Sequence, residues 1–202
     1  MTWIKICGLT SVEDAEHVIA AGADAIGLNF VPSSKRHVSL EQARVLVDAI
    51  GGRVEVVAVV ADPSDAQVQE LRTGLGIEWL QLHGDEDAAR TAELLPHAFK
   101  AVAIATGDDA QHAASFPGQR LLVDAKVAGS SGGTGQVFDW QLVRELCQQR
   151  QLVLAGGLTP LNVAHAVREL GPFGVDVASG VEAAPGRKDA QLVAAFVKAA
   201  RG

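Results

Sequence analysis

The stretch LVLAGGLTP, residues 152–160, decides the fold. Its apolar start predicts a short strand buried on both faces, and its glycine pair predicts a tight turn. Thr159 followed by Pro160 is typical of a helix start, because a capping side chain precedes a proline in the first turn. Strand, turn and helix form one βα unit. The rest of the chain repeats this unit, so we expect a parallel sheet covered by helices.

Apolar runs of strand length occur eight times, with helical patterns between them. They are Trp3–Cys7, Ala25–Phe30, Val54–Ala61, Trp79–Leu82, Phe99–Ile104, Leu121–Asp124, Leu152–Ala155 and Val175–Ala178. Eight units in 202 residues predict an α/β fold, a single (β/α)8 TIM barrel with eight parallel strands, as one domain over residues 1–202. A doubly wound open sheet shows the same alternation and stays an alternative. We interpret the Gly/Ser-rich stretch 128–135 as a long active-site loop, although its composition also fits a linker.

Helix starts and apolar faces support the same organisation. Hydroxyl residues three positions before Glu or Gln predict capping boxes at Thr10 and Ser39, and Asp62 and Thr159 precede prolines. The predicted apolar faces are Leu40, Ala43, Val47 and Ile50; Trp140, Val143, Leu146 and Cys147; and Leu192, Phe196 and Ala199. The helical pattern is weakest around residues 108–114.

Composition excludes several classes of function. The 17 Lys and Arg against 24 Asp and Glu give a net charge of −7, and no basic cluster exceeds two residues. We therefore expect no nucleic-acid partner and no membrane partner. No apolar stretch approaches the roughly 18 residues of a membrane span, and the N-terminal residues lack a signal-peptide core. Two cysteines cannot build a disulfide framework, so a cytoplasmic location is the expectation.

The C-terminal ends of the barrel strands predict the site. Cys7 ends the first strand, with Lys5 on the same face of that strand as a source of positive charge for a reactive thiol. Asp124 ends the sixth strand, where an acidic residue after an apolar run requires a partner or a task. A thiol and a carboxyl facing each other suit general acid–base catalysis. The alternatives are a small buried hydrophobe for Cys7 and a carboxylate that caps the following loop for Asp124.

Anion sites are the second prediction. Gly156 and Gly157 follow the seventh strand, Ser179 and Gly180 follow the eighth, and barrels form phosphate sites from these two loops. Glycines that only make tight turns are the alternative. Arg36, after the second strand, is able to clamp a carboxylate, although surface arginines are mostly solvated. His83, after the fourth strand, is either a site residue or a structural histidine. No residues cluster at metal-ligand spacing, and no Walker or Rossmann glycine pattern occurs.

Taken in order, these segments resemble the phosphoribosylanthranilate isomerase family of tryptophan biosynthesis. The matching segments are residues 5–10 (KICGLT), 27–30 (GLNF), 34–36 (SKR), 81–84 (QLHG), 122–125 (LVDA), 132–135 (GGTG), 155–158 (AGGL) and 179–182 (SGVE). They extend from the first strand to the last. The first and last of them are specific to the family, whereas Gly-Gly-Leu also occurs in other phosphate-binding barrels.

The resemblance implies a cofactor-free Amadori rearrangement of N-(5′-phosphoribosyl)anthranilate to 1-(2-carboxyphenylamino)-1-deoxyribulose 5-phosphate, in a monomer or homodimer. It assigns Asp124 as the general acid, Cys7 as the general base and Arg36 as the clamp on the anthranilate carboxylate. The Gly156–Gly157 and Ser179–Gly180 loops then hold the phosphate of this small-molecule phosphoribosyl substrate, and no metal is implied.

Three positions depart from the family pattern: Lys35 and His37 stand where Pro and Tyr are expected, and Ala178 stands where Ser is frequent. Three alternative functions stay open at this point. A ribulose-phosphate epimerase requires metal ligands at strand ends, and a ribotide isomerase requires an aspartate where Cys7 stands. A non-catalytic phosphate-binding protein requires neither Cys7 nor Asp124. Fold alone does not separate these functions.

Overall fold

The computed structural model describes residues 1–124 and 141–202. Within these residues, eight parallel strands close into a barrel in which each strand pairs with the next and the last pairs with the first. The strands are β1 (Trp3–Cys7), β2 (Ala25–Asn29), β3 (Glu55–Val60), β4 (Trp79–Leu82), β5 (Ala98–Ala103), β6 (Arg120–Asp124), β7 (Gln151–Ala155) and β8 (Gly174–Val177). The predicted (β/α)8 barrel is thus confirmed, and the doubly wound open sheet is excluded.

Helices follow the strands around the outside of the barrel. They are α1 (Val12–Ala20), α2 (Leu40–Ile50), α3 (Asp65–Gln69), α4 (Ala88–Glu93), α5 (Gly107–Ser115), α6 (Gln141–Gln149), α7 (Val163–Leu170) and α8 (Ala190–Arg201). A π-helical turn extends α3, and a 3-10 turn (Ser179–Val181) follows β8. A short hairpin, β9 (Glu182–Ala184) and β10 (Arg187–Lys188), lies between that turn and α8. None of the described helices is long and apolar enough to cross a bilayer.

The predicted helix starts are correct in part. Ser39 forms the expected capping box with Gln42. For α1 the prediction is wrong by one residue: Ser11 is the N-cap, and the Thr10 hydroxyl instead donates a 2.6 Å hydrogen bond to the carbonyl of Gly186. A tertiary partner therefore takes the hydroxyl that local pattern assigns to the helix.

Two further starts lie closer to the helix than predicted. Ser64 caps α3 in place of Asp62, which adopts a positive φ of 49°. Helix α7 begins after Asn162, and Thr159 lies in the preceding turn, where its hydroxyl accepts from the amide of Leu161. The observed cap therefore lies three positions after the predicted one. Helix α5, where the pattern is weakest, forms over nine residues behind a capping box at Thr106.

The apolar core has two parts, one between the sheet and the helices and one inside the barrel. Leu40 and Leu192, predicted on buried faces, are 46% and 38% exposed; Leu46 and Val193 are buried in the same helices. The predictions for Trp140 and for the loop 128–135 lie outside the described residues.

At the N-terminal end of the barrel, four rings surround the guanidinium of Arg120. Its Cζ lies 4.1 Å from the ring centroid of Trp79, 4.7 Å from Trp3, and 5.5 Å from both Phe99 and Phe173. Its Nη1 donates to Glu55 at 3.0 Å. We call this group the aromatic floor. These rings pack against the apolar side chains inside the barrel, at the end where the strands begin.

Candidate active site

A cavity of about 350 Å³ lies at the C-terminal ends of the strands. That volume is within the range of small-molecule sites. All eight predicted site residues line it: Cys7, Arg36, His83, Asp124, Gly156, Gly157, Ser179 and Gly180. The barrel therefore brings together residues from six loops that are up to 173 positions apart.

Cys7 lies on a buried polar layer beneath the cavity. The Nζ of Lys5, two residues earlier in β1, donates 2.9 Å hydrogen bonds to Gln81 in β4 and to Asp176 in β8. Lys5 is fully buried, and an ammonium there requires such partners. Gly27 in β2 lies beside both side chains: a Cβ at that position would stand 2.8 Å from the Cys7 Sγ and 3.0 Å from the Lys5 Nζ.

This environment controls the ionisation of the thiol. Burial raises the pKa of Cys7 above its ordinary value, whereas the ammonium of Lys5 lowers it. Asp176 adds to the increase and Lys188 opposes it. For Lys5, burial lowers the pKa, but Asp176 and Cys7 more than offset this effect, so its pKa is raised. The resting site therefore holds a neutral thiol beside a charged lysine.

Asp124 ends β6 at the rim of the same cavity and is half-buried. Its main-chain carbonyl accepts a hydrogen bond from the amide of Ile104 at 3.1 Å, so that the strand end is fixed against the β5 loop. Only β7 and β8 separate β6 from β1 around the barrel. The carboxyl and the Cys7 thiol therefore face one cavity from two strand ends, as a separate acid and base require.

Arg36 reaches the cavity from the loop after β2. Its Nε and Nη2 donate to the two carboxylate oxygens of Glu182, each at 2.6 Å. Its aliphatic stem packs directly over the backbone of Gly8, which has a φ of +76°. Any side chain at that position would be strained and would collide with the arginine. The glycine after Cys7 thus lets the guanidinium lie close to the strand that carries the thiol.

The two glycine-containing loops meet at one side of the cavity. Gly156 and Gly157 both have positive φ, and Gly180 lies so close to the carbonyl of Leu158 that a Cβ there would overlap it. Because glycines have no side chain, main-chain N–H groups of these loops are not covered by side chains at three positions, Gly156, Gly157 and Gly180. Such a surface suits an anion such as a phosphate.

Position 83 and the three departures have simple placements. His83 is exposed at the rim, and its Nδ1 lies 3.5 Å from the side-chain Nε2 of Gln81. Ala178 lines the cavity, so a serine hydroxyl is absent there. Lys35 and His37 are exposed and are not among the residues that line it, whereas Arg36 between them is.

Sequence reasoning missed Asp176 and Lys188. Asp176 lies two residues before Ala178 in an apolar run, and alternation along β8 places both side chains toward the barrel interior. Lys188 belongs to a basic pair that looks like solvated surface, yet its side chain is fully buried. The signal for Asp176 was available as a charged residue in a buried strand; no local signal distinguished Lys188.

Cys147 is half-buried on α6, and burial raises its pKa to about 11, which makes it a poor nucleophile. Across residues 1–124 and 141–202, no three His, Cys, Asp or Glu side chains cluster as metal ligands would.

Comparison with known proteins gives a consistent family. A family model described as N-(5′-phosphoribosyl)anthranilate (PRA) isomerase matches residues 4–199. A relative from Rhodopseudomonas palustris (strain BisB5), named N-(5′-phosphoribosyl)anthranilate isomerase, is 43% identical over 208 residues, covering 98% of this chain and 95% of the relative.

Solved structures show the same likeness. The crystal structure of phosphoribosyl anthranilate isomerase from Thermotoga maritima matches all of both chains with a TM-score of 0.89 and 36% identity. A second structure of such an isomerase, in complex with reduced 1-(o-carboxyphenylamino)-1-deoxyribulose 5-phosphate, matches all of both chains with a TM-score of 0.86 and 34% identity.

Proposed function

The chain belongs to the N-(5′-phosphoribosyl)anthranilate isomerase family, and from that premise we propose that Cys7 and Asp124 carry the proton transfers of its reaction. The chain is an isomerase of tryptophan biosynthesis that converts N-(5′-phosphoribosyl)anthranilate to 1-(2-carboxyphenylamino)-1-deoxyribulose 5-phosphate. Membership of this family sets aside the epimerase, the ribotide isomerase and the non-catalytic binding protein as alternatives.

One observation carries the proposed roles: the thiol, the carboxyl, the guanidinium and the glycine loops all line a single cavity. Asp124 donates a proton to the furanose ring oxygen, the C1′–O bond breaks and a Schiff base forms. Cys7 then removes the proton at C2′, and the electron pair moves to give an enolamine. Loss of the 2′-hydroxyl proton and protonation at C1′ convert the enolamine to the ketone. One proton leaves the acid and one reaches the base, so the charge of the pair is unchanged.

The proton inventory gives Lys5 and Lys188 a task. Catalysis requires a thiolate at position 7 and a protonated carboxyl at position 124, whereas burial favours the neutral thiol. The two ammonium groups lower the pKa of Cys7 and so raise the fraction of the reactive form. Burial lowers the fraction of thiolate at Cys7, but the thiolate that does form is a stronger base because its pKa is higher.

Arg36 is proposed to hold the anthranilate carboxylate, and the Gly156–Gly157 and Ser179–Gly180 loops to hold the 5′-phosphate. The two anionic ends of the substrate then lie on opposite sides of the reacting carbons. His83 is proposed as a substrate-binding residue at the rim. No cofactor takes part in this mechanism. Residues 1–202 are proposed to act as one domain, in the cytoplasm, as a monomer or a homodimer.

The test is an anthranilate fluorescence assay with substrate made in situ. We expect Cys7→Ala and Asp124→Asn to lower kcat by about 10²–10⁴-fold, because each removes one general catalyst. Both variants are expected to bind the reduced product analogue within about threefold of wild type in calorimetry, because neither residue is a proposed anion clamp. Cys147→Ala is the matched control and is expected to keep wild-type turnover. Unchanged kcat in Cys7→Ala would remove the thiol as the base.

A further inference from the structure

A buried chain of polar groups connects the proposed carboxylate clamp to the strand of the proposed base. Glu182, in the hairpin after β8, accepts hydrogen bonds from Nε and Nη2 of Arg36. Its Oε1 also accepts from Nζ of Lys188 at 3.0 Å and from the amide of Gly186 at 3.2 Å. The side chain of Glu182 is 5% exposed. Four donors therefore fix this carboxylate, which has room for about four.

Lys188 is the second member of this chain. Its ammonium donates to the carbonyl of Cys7 at 2.6 Å, to the carbonyl of Ala178 at 3.1 Å and to Glu182. All three of its N–H donors are thus used. Its main-chain amide donates to Asp14 at 2.9 Å, which holds the hairpin against α1. The ammonium consequently joins the end of β1, the start of the phosphate loop and the partner of Arg36.

Charge supports the same arrangement. Burial lowers the pKa of Lys188, and Glu182 counteracts that effect. Burial raises the pKa of Glu182, but hydrogen bonds from Arg36 and Lys188 more than compensate, so its pKa is lowered. The carboxylate thus stays ionised between two cations.

The contact with Glu182 uses one edge of the guanidinium, the edge formed by Nε and Nη2. A guanidinium has five N–H groups in a rigid fork, so the edge formed by Nη1 and Nη2 can bind a second carboxylate with two bonds. Arg36 lines the cavity. Its orientation there follows from the bond to Glu182, because a single linkage would let the planar group turn, and two parallel bonds do not.

We infer that Glu182 is a positioning residue for substrate selectivity: it holds Arg36 so that the Nη1–Nη2 edge meets the anthranilate carboxylate, and Lys188 ties it to the main chain of Cys7. The inference rests on the proposed role of Arg36. A clamp that is already ordered loses less conformational entropy when the substrate binds. Because the same chain holds the end of β1, the clamped substrate also has a fixed position relative to the thiol.

The experiment measures preference for the carboxylate. Calorimetry compares two probes, the reduced product analogue and its counterpart made from aniline, which lacks the carboxylate. The Kd of the aniline counterpart divided by the Kd of the reduced product analogue measures the preference for the carboxylate, and in wild type this ratio reports the contribution of the Arg36 clamp. We expect Glu182→Gln to lower this ratio by about tenfold, because a neutral amide accepts from one guanidinium N–H and no longer fixes two. A ratio that stays unchanged or increases overturns the inference.

A second variant leaves Glu182 in place. Arg36→Lys keeps the positive charge and removes the fork, so we expect a similar loss of preference, about tenfold. If Arg36→Lys keeps the full preference, a point charge suffices and positioning by the fork is wrong. This result remains available even where Glu182→Gln fails to fold.

The variant Arg36→Met and the double variant Arg36→Met/Glu182→Gln distinguish failure of the positioning role of Glu182 from failure of the proposed clamp at Arg36. If Glu182 acts through the arginine, Glu182→Gln has no further effect on the ratio in an Arg36→Met background; additive effects would contradict the inference. If Arg36→Met alone keeps the preference, the proposed clamp itself fails. The matched control is Glu16→Gln, which breaks the bidentate pair of Glu16 with Arg53 on the exposed surface and is expected to leave the ratio unchanged.

Discussion

Gly27→Ala tests the geometry around the thiol without removing any functional group. Gly27 is the Cα partner of Cys7 in the β1–β2 pairing. The added Cβ would lie 2.8 Å from Sγ of Cys7 and 3.0 Å from Cε and Nζ of Lys5. Comfortable contacts between such atoms are about 3.5–4.0 Å, so the sulfur must retreat by about 1 Å. A displacement of about 1 Å in a reacting group can reduce the rate by about 10²-fold.

The same overpacking gives a second, independent magnitude. Adding a methyl group to a well-packed interior destabilises a protein by about 1–3 kcal/mol. In a domain of this size about 1 kcal/mol lowers Tm by about 2–4 °C. We therefore expect Gly27→Ala to melt about 2–12 °C below wild type and to remain folded at 25 °C. Its kcat/KM is expected to fall by about 10²-fold, whereas binding of the reduced product analogue is expected to persist.

The assay combines anthranilate fluorescence for kcat/KM with calorimetry for Tm. Gly107→Ala at the first residue of α5 is the matched control, since a Cβ there meets nothing within 4 Å. We expect that control to match wild type in both measurements. A folded Gly27→Ala protein with kcat/KM within about threefold of wild type would refute the reasoning, because the sulfur would then tolerate displacement or not be the base.

Three other changes address the thiol, the proposed phosphate-binding loop at residues 179–180 and the aromatic floor. Lys5→Met in a Cys147→Ala background should move the pH midpoint of Cys7 alkylation by iodoacetamide upward, because the ammonium that lowers the thiol pKa is gone; an unmoved midpoint contradicts this. Gly180→Ala should raise both KM and the Ki of inorganic phosphate by about tenfold with little change in kcat, since its Cβ would overlap a carbonyl oxygen and open the loop. Arg120→Met should lower the unfolding free energy by about 1–3 kcal/mol in calorimetry while kcat/KM stays constant, because the floor is at the opposite end of the barrel.

The barrel itself was predictable because each βα unit carries its own pattern. An apolar run, a turn and a capped helix are local signals, and the count of eight favours the closed barrel over the open sheet, which shows the same alternation. The choice between neighbouring caps was not local. Thr10 and Ser11 each carry a hydroxyl that could cap α1. The Thr10 hydroxyl binds the carbonyl of Gly186, far along the chain, and Ser11 caps the helix.

The position of the candidate site was predictable where it follows the strand ends: Cys7 and Asp124 were predicted there, and both line the cavity. The residues that support these two side chains were harder to predict from the sequence. Lys188 lies in a hairpin outside the repeating unit, and its role depends on carbonyls of Cys7 and Ala178 that carry no sequence signature. For Glu182, the sequence showed a motif but not its pairing with Arg36, because that contact joins the second and eighth loops.

The buried pair of Lys5 and Asp176 has a consequence for how the chain folds. The two residues are Cα partners across the seam between β1 and β8, and they are 171 positions apart. A partly assembled barrel that lacks β8 leaves the Lys5 ammonium in an apolar interior without the carboxylate of Asp176. If β8 joined β1 one residue out of step, its carboxylate would point to the helical side of the sheet. The Lys5–Asp176 pair therefore stabilises the closed barrel only when β8 pairs with β1 in the native register.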